Sequence, residues 1–167
     1  SVASRGLGDV YKRQAEELYR RAIEAGPENA INLGHYASFL TDVRQRYDEA
    51  EALFKRAIEA DPKNVFNLTQ YGALLIDVRG DDIRAEAMFK LAVEIAPDDT
   101  DSCNRYAVFL TEIRGDHDAA EEYFRRAIRA GPQNASAYGN YAMFLEIVRG
   151  DYGRAAEMHR LAIEADP

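Results

Sequence analysis

The sequence predicts an all-α fold, a solenoid of stacked helical hairpins, and three observations carry that expectation. The five prolines of the chain, Pro27, Pro62, Pro97, Pro132 and Pro167, each lie 35 residues from the next. Alanines, aromatics and leucines recur in the same register as the prolines. Within every copy the apolar residues are spaced as on one face of a helix. A period of this length marks units that cannot bury their apolar faces alone and must stack on their neighbours. Function is therefore to be sought on surfaces.

Aligning the copies on their prolines separates framework from variable positions. Twelve residues before each proline stand Ala15, Ala50, Ala85, Ala120 and Ala155, and five before it Ala22, Ala57, Ala92, Ala127 and Ala162. Between them an aromatic slot holds Tyr19, Phe54, Phe89 and Phe124, with His159 in the last copy. Nine residues after each of the first four prolines come Tyr36, Tyr71, Tyr106 and Tyr141, then Ala37, Gly72, Ala107 and Ala142, then Leu40, Leu75, Leu110 and Leu145.

At these residues the chain resembles the tetratricopeptide repeat family. Leu33-x2-Tyr36-Ala37-x2-Leu40 followed by Ala50-x3-Phe54-x2-Ala57-x4-Pro62 fills the family's pattern, and the resemblance runs from Ala15 to Pro167. It implies a right-handed superhelix of about four and a half units, residues 15–167, that serves as a non-catalytic binding scaffold. Two features depart from the pattern. The first helix carries Leu, Cys or Tyr where the family has Trp, and Leu where it has Tyr. The period also exceeds the usual length of about 34 residues by one. The extra residue falls between the leucine and the second-helix alanine, so the first helix or its turn should be slightly longer.

Each unit then resolves into two helices. Asn29, Asn64, Asp99 and Asn134, two residues past the prolines, suit N-caps because their side chains accept from the free amides of a first turn. First helices are predicted at 30–44, 65–79, 100–114 and 135–149. Gly80, Gly115 and Gly150 follow and take the left-handed conformation that ends a helix, with Gln45 in the first copy. Second helices are predicted at 48–60, 83–95, 118–130 and 153–165, with an unpaired one at 15–25.

Residues 1–14 stand outside the repeat. Asp9 to Gln14 is what GAT-GTG-TAT-AAG-AGA-CAG encodes, which resembles the transposase mosaic end of sequencing adapters, and the tract reads as adapter-derived or disordered. The array is expected to be an internal fragment of a longer one. Cys103, the only cysteine, permits no internal disulfide and occupies a core slot, where it reads as a buried structural thiol. No apolar run reaches the length of a membrane span. A soluble, cytoplasmic protein is expected.

The second helices carry Glu16/Arg20, Glu17/Arg21, Glu51/Lys55, Glu86/Lys90, Glu121/Arg125 and Glu122/Arg126, each a glutamate four residues before a cation. Such pairs read as a solvated outer wall. Arg44, Arg79, Arg114 and Arg149 close every first helix, where a cation complements the helix dipole and bonds free carbonyls, and they read as structural.

Candidate binding residues lie opposite the core stripe of each first helix, at about 100° per residue. They are Ile31, Gly34, Ser38, Thr41 and Asp42 in the first unit and Phe66, Thr69, Ala73, Ile76 and Asp77 in the second. The third has Asp101, Asn104, Val108, Thr111 and Glu112, and the fourth Ser136, Gly139, Met143, Glu146 and Ile147, with His35 and Arg105 at the edge. These positions vary between copies while the core does not. By resemblance, this face lines a groove for an extended peptide or a partner helix. Its acids favour a basic segment, with Ile31, Phe66, Ile76, Val108 and Met143 as apolar anchors.

Other classes fare worse. Hairpin repeats of this period are also similar to pentatricopeptide proteins, which bind single-stranded RNA. With 21 Lys+Arg against 29 Asp+Glu, a formal net charge of −8, the chain offers no positive face for a phosphate backbone. His35, His117 and His159 fall at unrelated places in their repeats and give neither metal-ligand spacing nor a base for a nucleophile. No cofactor or metal site, no nucleic acid and no membrane partner is expected. The reading from a different class is a docking or regulatory array of a larger multidomain enzyme.

Overall fold

The computed structural model describes the backbone of residues 2–166 and side chains from Gly8 onward. Ser1, the first residue of the adapter-like tract, and Pro167, the last of the spaced prolines, lie outside the described residues. Among the described residues there are nine α-helices and no strand. The chain divides into two compact units, Ser1–Asp81 and Asp82–Pro167.

The first unit holds α1 (Val2–Ala25), α2 (Ala30–Phe39), α3 (Tyr47–Ala60) and α4 (Val65–Leu74). In it α2 packs against α1, α3 and α4. The second holds α5 (Asp82–Ile95), α6 (Thr100–Phe109), α7 (His117–Ala130), α8 (Ala135–Phe144) and α9 (Tyr152–Ala165). There α6 meets α5, α7 and α8, and α8 meets α7 and α9. Helix α1 starts well before Ala15, so the backbone of the adapter-like tract continues the first helix.

The proposed caps form as the residue types require. Asn29, Asn64, Asp99 and Asn134 each accept, through the side chain, from the amide three residues on, at 2.8–3.1 Å. Asp116 and Asp151 do the same for α7 and α9, a pair of caps that the proline alignment did not single out.

Each first helix ends in a five-residue π-helical turn, Leu40–Arg44, Leu75–Arg79, Leu110–Arg114 or Leu145–Arg149. Its wider hydrogen-bond rings hold one residue more than an α turn, which accommodates the extra residue of the 35-residue period inside the helix. The chain leaves each turn through a left-handed residue: Gln45 at φ 55°, Gly80 at 62°, Gly115 at 66° and Gly150 at 64°. The next amide then returns to the carbonyl of the leucine that opened the turn, at 2.9–3.0 Å.

Packing follows the framework. Leu33, Leu68, Cys103, Phe54 and Phe124 are almost wholly buried, as are the framework alanines from Ala50 to Ala142. Burial of each large side chain contributes roughly 1.5–3 kcal/mol. The second-helix aromatic stacks on the tyrosine of the first helix that follows, Tyr19 on Tyr36, Phe54 on Tyr71 and Phe124 on Tyr141, with ring centroids 5.6–6.0 Å apart. Phe89 meets Phe109 instead, at 5.7 Å. Cys103 donates its thiol to the Pro97 carbonyl at 3.3 Å, and burial pushes its pKa up. His159 stands in the aromatic slot of the last copy without being packed there. It is exposed on α9, the last described helix, with Nε2 3.8 Å from a Glu146 carboxylate oxygen.

The four recurring glutamates are not a solvated wall. Glu16, Glu51, Glu86 and Glu121 turn toward the following first helix, and their side chains are only 7–21% exposed. Each pairs with the arginine that closes that helix, Arg44, Arg79, Arg114 or Arg149, with Nε–Oε2 at 2.7–2.9 Å. Tyr36, Tyr71 and Tyr141 donate their hydroxyls to the same carboxylates at 3.2–3.4 Å. The arginines are structural, as the sequence suggested, but they bridge two helices instead of capping their own. Burial raises the pKa of Glu16, yet hydrogen bonds from Arg44 and Arg46 outweigh it and the carboxyl falls below its usual range. Glu51, held first by Lys55 and then, against burial, by Arg79, drops to about 2. These locks fix each first helix, and with it the face it presents.

Candidate functional site

The side chains that vary between copies fall into three groups once the helices pack. Ile31, Asp42, Phe66, Asp77, Asp101, Glu112, Ser136, Met143, Glu146 and Ile147 are exposed. Ser38, Thr41, Ala73, Ile76, Arg105, Val108, Thr111 and Gly139 are half-buried. Gly34, Thr69 and Asn104 are buried, contrary to their place on an open face. Gly34 and Asn104 sit where two first helices approach, and a helical wheel drawn on one helix does not show the next.

Within the first unit, the exposed side of α2 and α4 is mixed in character. His35 lies against Phe66, with ring centroids 4.8 Å apart. Thr69 turns its hydroxyl back to the Val65 and Phe66 carbonyls, both at 3.0 Å, which satisfies it without a ligand. Asn67 was outside the candidate set. It is buried, donates to the Ala30 carbonyl at 3.0 Å, and leaves its Oδ1 without a partner.

The second unit has a better-formed site. Between α6 and α8 and their π turns lies an open, largely apolar cavity of about 270 Å³. Phe124 and Phe144, both buried, contribute lining that the core already holds in place. Val108 and Thr111 line it from α6 and its turn, and Met143 and Ile147 from α8 and its turn. Met143 is 52% exposed and Ile147 74%. Glu112 also lines the cavity, is exposed, and makes no ion pair among the described residues. Asn140 contributes a polar edge and donates to Asn104 Oδ1 at 3.3 Å, joining α6 to α8.

Five residues of the candidate face thus meet at one place: the anchors Val108 and Met143, the acid Glu112, and Thr111 and Ile147. Asn140, Phe144 and Val148 were missed as lining residues. Asn140 occupies the repeat position of His35 and Arg105, at the edge of the face, and that position was the available signal. Among the described residues no cluster of three or more His, Cys, Asp or Glu is placed to hold a metal ion. No helix among them is long and apolar enough to cross a membrane. The site offers apolar surface and negative charge, the means of binding a side chain.

A tetratricopeptide repeat family model matches residues 12–65 and 114–167, more than half of the chain. No curated protein matches the sequence significantly. Among solved structures, TTC0263, a thermophilic tetratricopeptide repeat protein of Thermus thermophilus, is similar at 17% identity and a TM-score of 0.80, covering 99% of this chain and 88% of that one. MamA of Desulfovibrio magneticus RS-1, from its residue 41 to its end, is similar at 15% identity and a TM-score of 0.70, covering 99% and 91%. YrrB, a tetratricopeptide repeat protein with an unusual peptide-binding site, is similar at 23% identity and a TM-score of 0.64, covering 98% and 82%. At these identities the likeness is one of fold, an all-α solenoid of helical hairpins.

Proposed function

The chain belongs to the tetratricopeptide repeat family, and on that premise we propose that it is a non-catalytic scaffold whose first-helix faces bind a basic, partly apolar segment of another protein. The observation that carries this reading is the cavity of the second unit, where the exposed apolar side chains of Met143 and Ile147 stand beside the carboxylate of Glu112, unpaired among the described residues. Apolar surface of this kind supplies affinity, and the acids supply selection by charge. YrrB, whose fold this chain shares, has a peptide-binding site, which supports the same use here. The formal net charge of −8 favours a basic protein segment over nucleic acid.

Basic and acidic peptide pools titrated into the full chain test the reading. Basic peptides should bind more tightly, and their affinity should fall as salt rises, because exposed charges are screened within about 8 Å at physiological ionic strength. Equal binding of both pools contradicts it.

A further inference from the structure

We propose that the second unit carries an anchor cavity for one bulky apolar side chain of the partner segment, and that a lysine or arginine beside that side chain is held by Glu112. The proposal rests on the groove reading above and narrows it to one cavity and one pair of partner residues.

The internal repeat supplies the first argument. Val108, Met143 and Ile147 stand 70 residues after Ser38, Ala73 and Asp77, so the same positions in the first unit carry small or polar side chains. The hairpin framework therefore folds without apolar residues there. Single exposed apolar residues are ordinary on a protein surface. Here they are grouped around a cavity floored by two buried phenylalanines, and grouped apolar surface of this kind marks an interaction site.

Size gives the second argument. Sites that enclose a whole small molecule run from about 300 to 1,000 Å³. At about 270 Å³ and open to solvent, this cavity suits one leucine, methionine or phenylalanine side chain projected from a longer segment. Charge gives the third. Glu146 already faces His159, whereas Glu112 is exposed with no cation of this chain paired to it among the described residues, so it is the acid available to a partner. A cation reaches it from two residues beyond the anchor in an extended segment, where alternate side chains share a face, or from the next turn of a helix.

The test uses the full chain and synthetic peptides that place Leu, Met, Phe or Ala at a central position with Lys or Glu two residues away, read by fluorescence anisotropy. Peptides with a bulky centre and a lysine should bind about tenfold more tightly than those with a central alanine. Met143→Ala and Ile147→Asp, which install the residues of the first unit, should each remove most of that preference. Both side chains are exposed, circular dichroism checks each fold, and two variants leave one to decide should the other misfold. Glu112→Gln should weaken only the preference for lysine over glutamate. Peptide binding that these variants leave intact but Ile31→Asp or Phe66→Ala reduces would overturn the anchor cavity and keep the groove reading. Binding of no peptide by the wild-type chain overturns both. Concentration-dependent self-association abolished by Ile147→Asp would assign the cavity to a second copy and overturn the proposal.

Discussion

Asn67 of α4 fills the space beside Gly34 of α2. A Cβ built on Gly34 stands 1.8 Å from Asn67 Oδ1 and 2.8 Å from its Cγ. Gly34 is thus a contact between two first helices, and the candidate face stops short of it. In Gly34→Ala, Asn67 must rotate away from the Ala30 carbonyl, and the variant should lose about 1–3 kcal/mol. The sign should change in an Asn67→Ala background. There no remaining atom stands within 3.4 Å of the added methyl, and replacing a helical glycine should gain about 0.5–1 kcal/mol. Urea melts of the four proteins give the coupling directly. Additive effects would show that the two residues do not compete for the same space.

The glutamate locks predict an acid-sensitive stability. Glu51 is lowered to about 2 in the folded chain, from an ordinary value of 4.5. Its unfolded form therefore binds the proton more readily. The stabilisation is complete above about pH 4.5 and is lost as pH falls toward about 2. Glu51→Gln should cost about 1–3 kcal/mol at neutral pH, since it leaves Arg79 and Lys55 short of their shared acceptor. Stability curves of wild type and variant should converge below pH 4.5. Parallel curves down to about pH 2.5 would show that the lock contributes nothing.

Gln45 is the one non-glycine residue with positive φ among the described residues. The corresponding Gly80, Gly115 and Gly150 have open space where a Cβ would stand, so the cost at Gln45 is one of backbone conformation alone. Gln45→Gly should stabilise the chain by about 0.5–1 kcal/mol, seen as a small rise in Tm. A fall would mean that the glutamine side chain is held by its surroundings.

Local chemistry made much of the fold legible. Asn64 two residues after Pro62 marks a helix start and Gly80 a helix end, and the helices between these signals fall where the spacing places them, because caps and corners are decided by neighbouring residues. The lock was harder to read. Glu51 and Lys55 satisfy the rule for an exposed intrahelical pair, and nothing in that spacing shows Arg79 arriving from the next helix 28 residues away. The constant separation of Glu16, Glu51, Glu86 and Glu121 from Arg44, Arg79, Arg114 and Arg149 was the available signal. The same limit applies to the candidate face. Val108, Glu112, Met143 and Ile147 were readable as variable positions on a helix side, whereas the burial of Gly34 and Asn104 depends on a second helix. The π turns are a matter of hydrogen-bond register, which the extra residue of the period permits but residue types do not specify.

Amide and methyl chemical-shift mapping of the full chain during titration with a lysine-rich peptide bearing leucine anchors tests the central claim most directly. The account predicts the largest shifts at Val108, Glu112, Met143 and Ile147, with little change at Lys55, Lys90 and Arg125 on the second helices. Shifts concentrated on the second helices, or none at saturating peptide, would contradict it.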